Sequence, residues 1–194
     1  MHRSTGTLRR GMAVCALALV ANGAAWPCGF DDPNSAKVQR GMMNLAFPKS
    51  AYVRTAIWQA QLAGELPRDS LAGRDDLTPQ AISTMRLIHA TVLLKRLAKQ
   101  LGSAPDDADH PTIALVLVGS MLWSRFEPQG ASVQAQVHVS GAQAGDVVVV
   151  TDTPAIEAIV KGDLSFEQAI ERGLMRLYGP QAQIDRLTTW LVAV

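Results

Sequence analysis

The hydrophobic period of this 194-residue chain changes from helical to strand-like close to residue 106. Before that point apolar residues recur at threes and fours; beyond it they alternate or run together over strand lengths. A chain patterned as helices, then strands, then short helices around one more strand reads as an α+β layer fold. The expected architecture is an antiparallel or mixed sheet of about five strands covered by helices, preceded by a three-helix N-terminal segment. The corresponding divisions are residues 1–25, 26–105 and 106–194.

In the helical part, Asp32 can cap a first helix with Pro33 in its first turn, and Val38, Met42 and Leu45 form its apolar stripe. Phe47-Pro48 ends that helix, because proline disfavours helical geometry in the residue before it. Ser50 can cap a second helix with the stripe Val53, Ala56, Ile57 and Ala60, fading at Gly64. A charged loop from Glu65 to Leu77 follows. Thr78-Pro79 then opens the clearest helix, in which Leu87, Ala90, Leu94, Leu97 and Leu101 recur at threes and fours up to Gly102. Lys95, Arg96 and Lys99 complement its dipole. So short a stripe is a core face or bundle seam rather than a free coiled coil.

In the second part, Ile113 to Val118 is a continuous apolar run, and Met121 to Phe126 follows the Gly119-Ser120 turn. Val133, Ala135, Val137 and Val139 alternate with polar residues, as in a half-exposed strand, and Val147 to Val150 suits a buried one. Thr153 can cap a helix with Pro154 in its first turn, ending at Gly162. Ser165 and Gln168 form a capping box for the next helix, which closes at Gly173. Leu174 to Tyr178 is a short strand, and Gly179-Pro180 starts a last helix.

The first 25 residues read as an export signal rather than as part of the fold. Arg3, Arg9 and Arg10 precede an apolar run from Met12 to Ala21, and the small residues Gly23-Ala24-Ala25 suit cleavage after Ala25, or alternatively after Gly23. The run is too short to cross a bilayer, which takes roughly 20 residues. No later segment qualifies as a membrane span, so an exported, periplasmic or secreted, soluble chain is expected. Three of the 18 basic residues and none of the 17 acidic ones lie in the signal, which leaves the remainder at a net charge of −2. Nucleic acid is therefore not an expected partner, because phosphate contacts need clustered cations. Cys15 leaves with the signal, and Cys28 is left as an odd cysteine: a free thiol, an intermolecular bridge or a ligand. Close to a chain end, it is expected to matter little for stability.

No phosphate loop, nucleophile elbow, His-Glu-x-x-His pair or Cys-x-x-Cys occurs, so no catalytic residues, cofactor or metal ligands are assigned and a non-enzymatic protein is expected. The acidic loop Asp106, Asp107, Asp109 lacks the glycine and glutamate of a calcium loop. His89, His110 and His138 sit on a helix, a loop and a strand, so only the fold can bring any of them to a metal. Cys28 with Asp31 and Asp32 is the densest polar cluster, although Asp32 is already used as a helix cap.

The stretch from Gly145-Asp146 through Val147–Val150, Thr153-Pro154, Lys161-Gly162-Asp163-Leu164-Ser165, Ala169-Ile170-Glu171-Arg172-Gly173 and Leu174–Gly179 resembles the carboxy-terminal half of a sterol carrier protein (type two) lipid-binding domain. The resemblance covers roughly residues 110–194. It implies a sheet covered by helices around an apolar cavity, a lipid or other small apolar ligand, and no catalytic residues. Leu122, Trp123, Phe166, Ile170, Leu174 and Leu191 are the positions that could line such a cavity. The alternative functions are docking on another exported protein through the helical half, and thiol or metal chemistry at Cys28.

Overall fold

A computed structural model describes residues 28–103 and 110–193. The segment read as an export signal and the acidic loop Asp106–Asp109 lie outside the described residues. Three helices come first: α1 (Pro33–Ala46), α2 (Ser50–Leu62) and α3 (Pro79–Leu101). Strands β1 (Ile113–Leu117), β2 (Leu122–Gln129), β3 (Ser132–Val137) and β4 (Val147–Thr151) follow, then α4 (Thr153–Lys161), α5 (Phe166–Glu171), β5 (Arg176–Tyr178) and α6 (Gln181–Val192). The five strands form one mixed sheet in the order β3-β2-β1-β4-β5. Only the central pair, β1 and β4, is parallel; the other pairs are antiparallel. The expected α+β class and the five-stranded, helix-covered sheet are thus what the chain adopts.

The register assigns the two faces, because side chains alternate along each strand. Ile113, Leu115 and Leu117 share one face with Leu122, Ser124 and Phe126 of β2 and with Val147, Val149 and Thr151 of β4. Ala114 and Val116 share the other face with Trp123, Arg125, Val148 and Val150. Every residue of β1 and β4 is buried, so helices cover both faces of the central pair. That explains why these two strands read as unbroken apolar runs. Helix α3 lies along β3 and against α4, while α6 packs on β4 and α5. Its Trp190 indole donates to the Leu101 carbonyl at 3.2 Å, which ties α6 to the last turn of α3.

The α1–α2 hairpin is held differently. Phe47, in the turn between the two helices, lays its ring over the second face, 6.1 Å from Trp123 and 5.3 Å from Tyr178. The Tyr178 hydroxyl donates to the Pro48 carbonyl at 2.8 Å. At the far end Arg40 donates to the Gly119 carbonyl at 2.6 Å, and the Gly29 amide donates to the Ser120 carbonyl. A Cβ at Gly29 would sit 2.8 Å from the Ala36 Cβ and 2.9 Å from the Ser120 oxygen, so only glycine allows this approach.

Two local expectations are corrected by the fold. The stripe Val38, Met42 and Leu45 is not the inward face of α1: these residues are 56%, 54% and 85% exposed, and the helix packs through Ala36 and Met43 instead. Cys28, expected to be incidental near a chain end, is 2% exposed and belongs to the core. At two helix starts the cap falls one residue earlier than expected. Asp152, not Thr153, caps α4, and Lys49, in the left-handed region, precedes α2 with Ser50 buried as its first residue.

Candidate functional site

Of the six positions expected to line a cavity, Leu122, Phe166, Leu174 and Leu191 are buried, and Trp123 and Ile170 are half-buried against the same core. Leu122 and Trp123 are neighbours on β2 and therefore point to opposite faces of the sheet, Trp123 toward Phe47. The Leu174 carbonyl accepts from the buried Thr151 hydroxyl at 2.9 Å, which fastens the segment after α5 to the end of β4. None of the six is among the residues lining the cleft between α1 and α2.

That cleft, of about 620 Å³, lies between α1 and α2 above the end of β1. Lys37, Arg40, Gly41 and Met43 of α1 form one wall; Ser50, Ala51, Arg54, Thr55 and Trp58 of α2 form the other, and Val118 joins them. Helical spacing makes these walls. Lys37, Arg40 and Gly41 stand three and four apart on α1, as do Ala51, Arg54, Thr55 and Trp58 on α2, so each set shares one face. Its volume falls within the roughly 300–1,000 Å³ of ordinary small-molecule sites.

Its electrostatics are set by a cluster of three cations and one carboxylate. Asp152 caps α4 by accepting from the Thr153 amide at 2.9 Å, and it also accepts from the Gly119 amide at 2.9 Å. Burial pushes the Asp152 carboxyl up from its ordinary value, while the Thr153 and Gly119 amides and the Arg54 and Arg40 charges pull it down. Arg40 is lowered in turn, by burial first and by the charge of Arg54 second, with Asp152 acting in the opposite sense. Two guanidiniums thus repel each other across a single carboxylate, and Lys37 adds a third positive charge to the wall. Such a wall favours an anion. Beside it, Trp58 is 59% exposed, and Leu62 continues the same face of α2 one turn further on, also exposed.

No family model matches this chain, and no curated protein matches it either. Among solved structures it is similar to sterol carrier protein 2 like 2 from Aedes aegypti, with 16% identity and a TM-score of 0.41, over 54% of this chain and 97% of that one. Sterol-carrier-like chains are among its neighbours. A second is a conserved hypothetical protein from Thermus thermophilus, a possible sterol carrier protein, at 18% identity and a TM-score of 0.37, over 54% of this chain and 82% of that one. The inverting sec-alkylsulfatase Pisa1 from Pseudomonas sp. is also similar, at 16% identity and a TM-score of 0.38 over 47% of this chain. This chain spans 14% of that sulfatase's length.

The cleft escapes sequence reasoning because cations and apolar side chains share its walls, and apolar periodicity alone does not pick out such a mixed face. The available signal was the pairing of Lys37 with Arg40 and of Arg54 with Trp58 at helical spacings.

Proposed function

We propose that this chain is an exported, non-catalytic binding protein for a small amphiphile with an anionic head, held in the α1–α2 cleft. The observation that carries this reading is the composition of the cleft, in which the cations Lys37, Arg40 and Arg54 share its walls with Met43, Trp58 and Val118. Arg40, Arg54 and Lys37 would bind the head, with guanidiniums suited to paired contacts to a carboxylate, sulfate or phosphate. Trp58 and Met43 would cover the first part of the apolar chain. Among the described residues no helix is long and apolar enough to cross a membrane, which accords with a chain that carries its ligand through water.

The test is a fluorescence titration of the purified protein with a fatty acid, an alkyl sulfate and a zwitterionic lysophospholipid, following Trp emission. Saturable binding of the two anions, weakened more than tenfold in an Arg54→Ala, Lys37→Ala double variant, is the expected result. Equal binding of all three probes, or none, overturns the reading.

The exposed stripe Val38, Met42 and Leu45 favours a second reading, in which α1 docks on another exported protein. Replacing Val38 and Met42 by glutamate separates the two. It should leave amphiphile binding intact if the cleft is the site, and abolish co-purification of a partner if the stripe is.

A further inference from the structure

Two segments far apart in the chain bring a thiol, a carboxylate and an imidazole to one point. Asp31 Oδ2 lies 3.5 Å from Cys28 Sγ and 3.2 Å from His138 Nε2. One donor atom from each of the three residues lies within 4.8 Å of the other two. Cys28 is buried, while Asp31 and His138 are about half open to solvent, so the cluster has a closed side and an entrance.

Both segments are built to hold that arrangement. On one side, the Asp31 and Asp32 amides both donate to the Cys28 carbonyl at 2.9 Å, which folds a tight turn that brings Asp31 back to the thiol. The close approach of Gly29 to Ser120 pins this turn to the end of the sheet. On the other side, the amides of His138 and Val139 both donate to the Trp123 carbonyl at 3.0 Å, so two residues oppose one at the end of β3. That is a bulge, a device that re-aims a side chain. His138 takes a φ of 69° there, a left-handed conformation that is costly for a residue other than glycine. Without the bulge, the strand's alternation would set the direction of its imidazole.

We propose that Cys28, Asp31 and His138 form a binding site for one zinc-class divalent cation. A thiolate, an imidazole and a carboxylate are the donor set that zinc prefers, and a single carboxylate is too few oxygens for calcium or magnesium. Zinc bonds of about 2.0–2.3 Å put tetrahedral ligands roughly 3.3–3.8 Å apart, so small side-chain rotations bring the three donors into range. Water or an outside ligand completes the fourth position through the open side. On binding, the Cys28 thiol proton passes to solvent, as does any proton on the coordinating nitrogen of His138, and no electron is transferred.

The experiment uses the mature chain without a histidine tag, titrated with Zn2+ alone and separately with Co2+ alone. One Zn2+ per chain and a near-ultraviolet thiolate-to-Co2+ charge-transfer band are expected. Cys28→Ser should remove the band and weaken Zn2+ binding more than tenfold. His138→Asn, which tolerates the left-handed backbone, should weaken it comparably, while His89→Asn on the surface of α3 leaves it unchanged. Absence of the band in the unaltered chain overturns the proposal whether or not the variants fold. So does Zn2+ affinity equal in the parent, Cys28→Ser and His138→Asn proteins.

Discussion

Helices α1 and α3 both carry an apolar stripe, yet they attach to the rest of the molecule by different means. Helix α3 buries Ala90, Leu94, Leu97 and Leu101 between the sheet and α4. Helix α1 turns Val38, Met42 and Leu45 to solvent, packs through Ala36 and Met43, and is fastened by Arg40 midway along it and by the Phe47 ring at its end. Burial on the scale of α3 is worth about 1.5–3 kcal/mol for each fully buried large side chain. Helix α1 buries one large side chain, Met43, beside the small Ala36, and its few hydrogen bonds each add less than such burial does. The α3 and sheet region is therefore the stable frame. The α1–α2 hairpin, which buries Met43, Val53, Ile57 and Ala60 in the same core, is a thinner clasp expected to open before that frame, and the anion-favouring cleft lies inside the clasp.

The largest way to break this contrast is in the frame. Phe126→Ala removes a side chain with no exposure at all from β2 and should cost about 3–5 kcal/mol in a denaturant melt. The clasp should respond less. Phe47→Ala removes a half-buried ring with two aromatic neighbours and is expected to cost about 2 kcal/mol. Hydrogen exchange should then rise in α1 and α2 while α3 and β1 keep their protection. Uniform loss of protection would show that the two regions are one cooperative unit.

Asp152 joins frame and clasp. Asp152→Ala strands the Thr153 and Gly119 amides and should cost about 1–2 kcal/mol, whereas Asp152→Asn keeps an acceptor and should cost less. The pH dependence gives a second check. Because the folded carboxyl titrates above its ordinary value, the native state binds the proton more readily than the unfolded chain. This group's contribution is then greatest below the ordinary carboxylate range and declines as pH rises through its raised value. Asp152→Asn should remove that decline from the stability profile. The smallest effect is expected at Leu45→Gln, within about 0.5 kcal/mol in the same melt, because that side chain touches little.

The frame was legible in the sequence because its elements are buried on the pattern that identifies them. The α3 stripe lies at helical spacing on the face that packs, and the apolar runs of β1 and β4 match strands covered on both sides. In the clasp the α2 stripe was legible, with Val53, Ile57 and Ala60 buried as its spacing implies, but the packing face of α1 was not. Periodicity picks out the stripe Val38, Met42 and Leu45, which in α1 is exposed, while the packing residues are Met43, off that stripe, and Ala36, which gives almost no signal. Asp31 was visible beside Cys28, but His138 joins them through a bulge. Nothing in Val137-His138-Val139 announces a left-handed residue where glycine is absent. Asp32, by contrast, was correctly read as the cap of α1, accepting from the Asn34 amide at 3.0 Å.

The parallel pairing of β1 with β4 also fixes an order of assembly. β1 can pair at once with β2, its neighbour in sequence, and β2 with β3, since both are antiparallel and closely connected. The other edge of β1 must wait until the whole hairpin and the loop after it have been made, because its partner begins at Val147. A growing chain therefore holds an apolar strand with one unpaired edge until β4 emerges, and such an edge invites pairing with another chain. Chains halted before Val147 should aggregate, and those that reach Tyr178 should stay dispersed, because by then β5 has covered β4 in its turn.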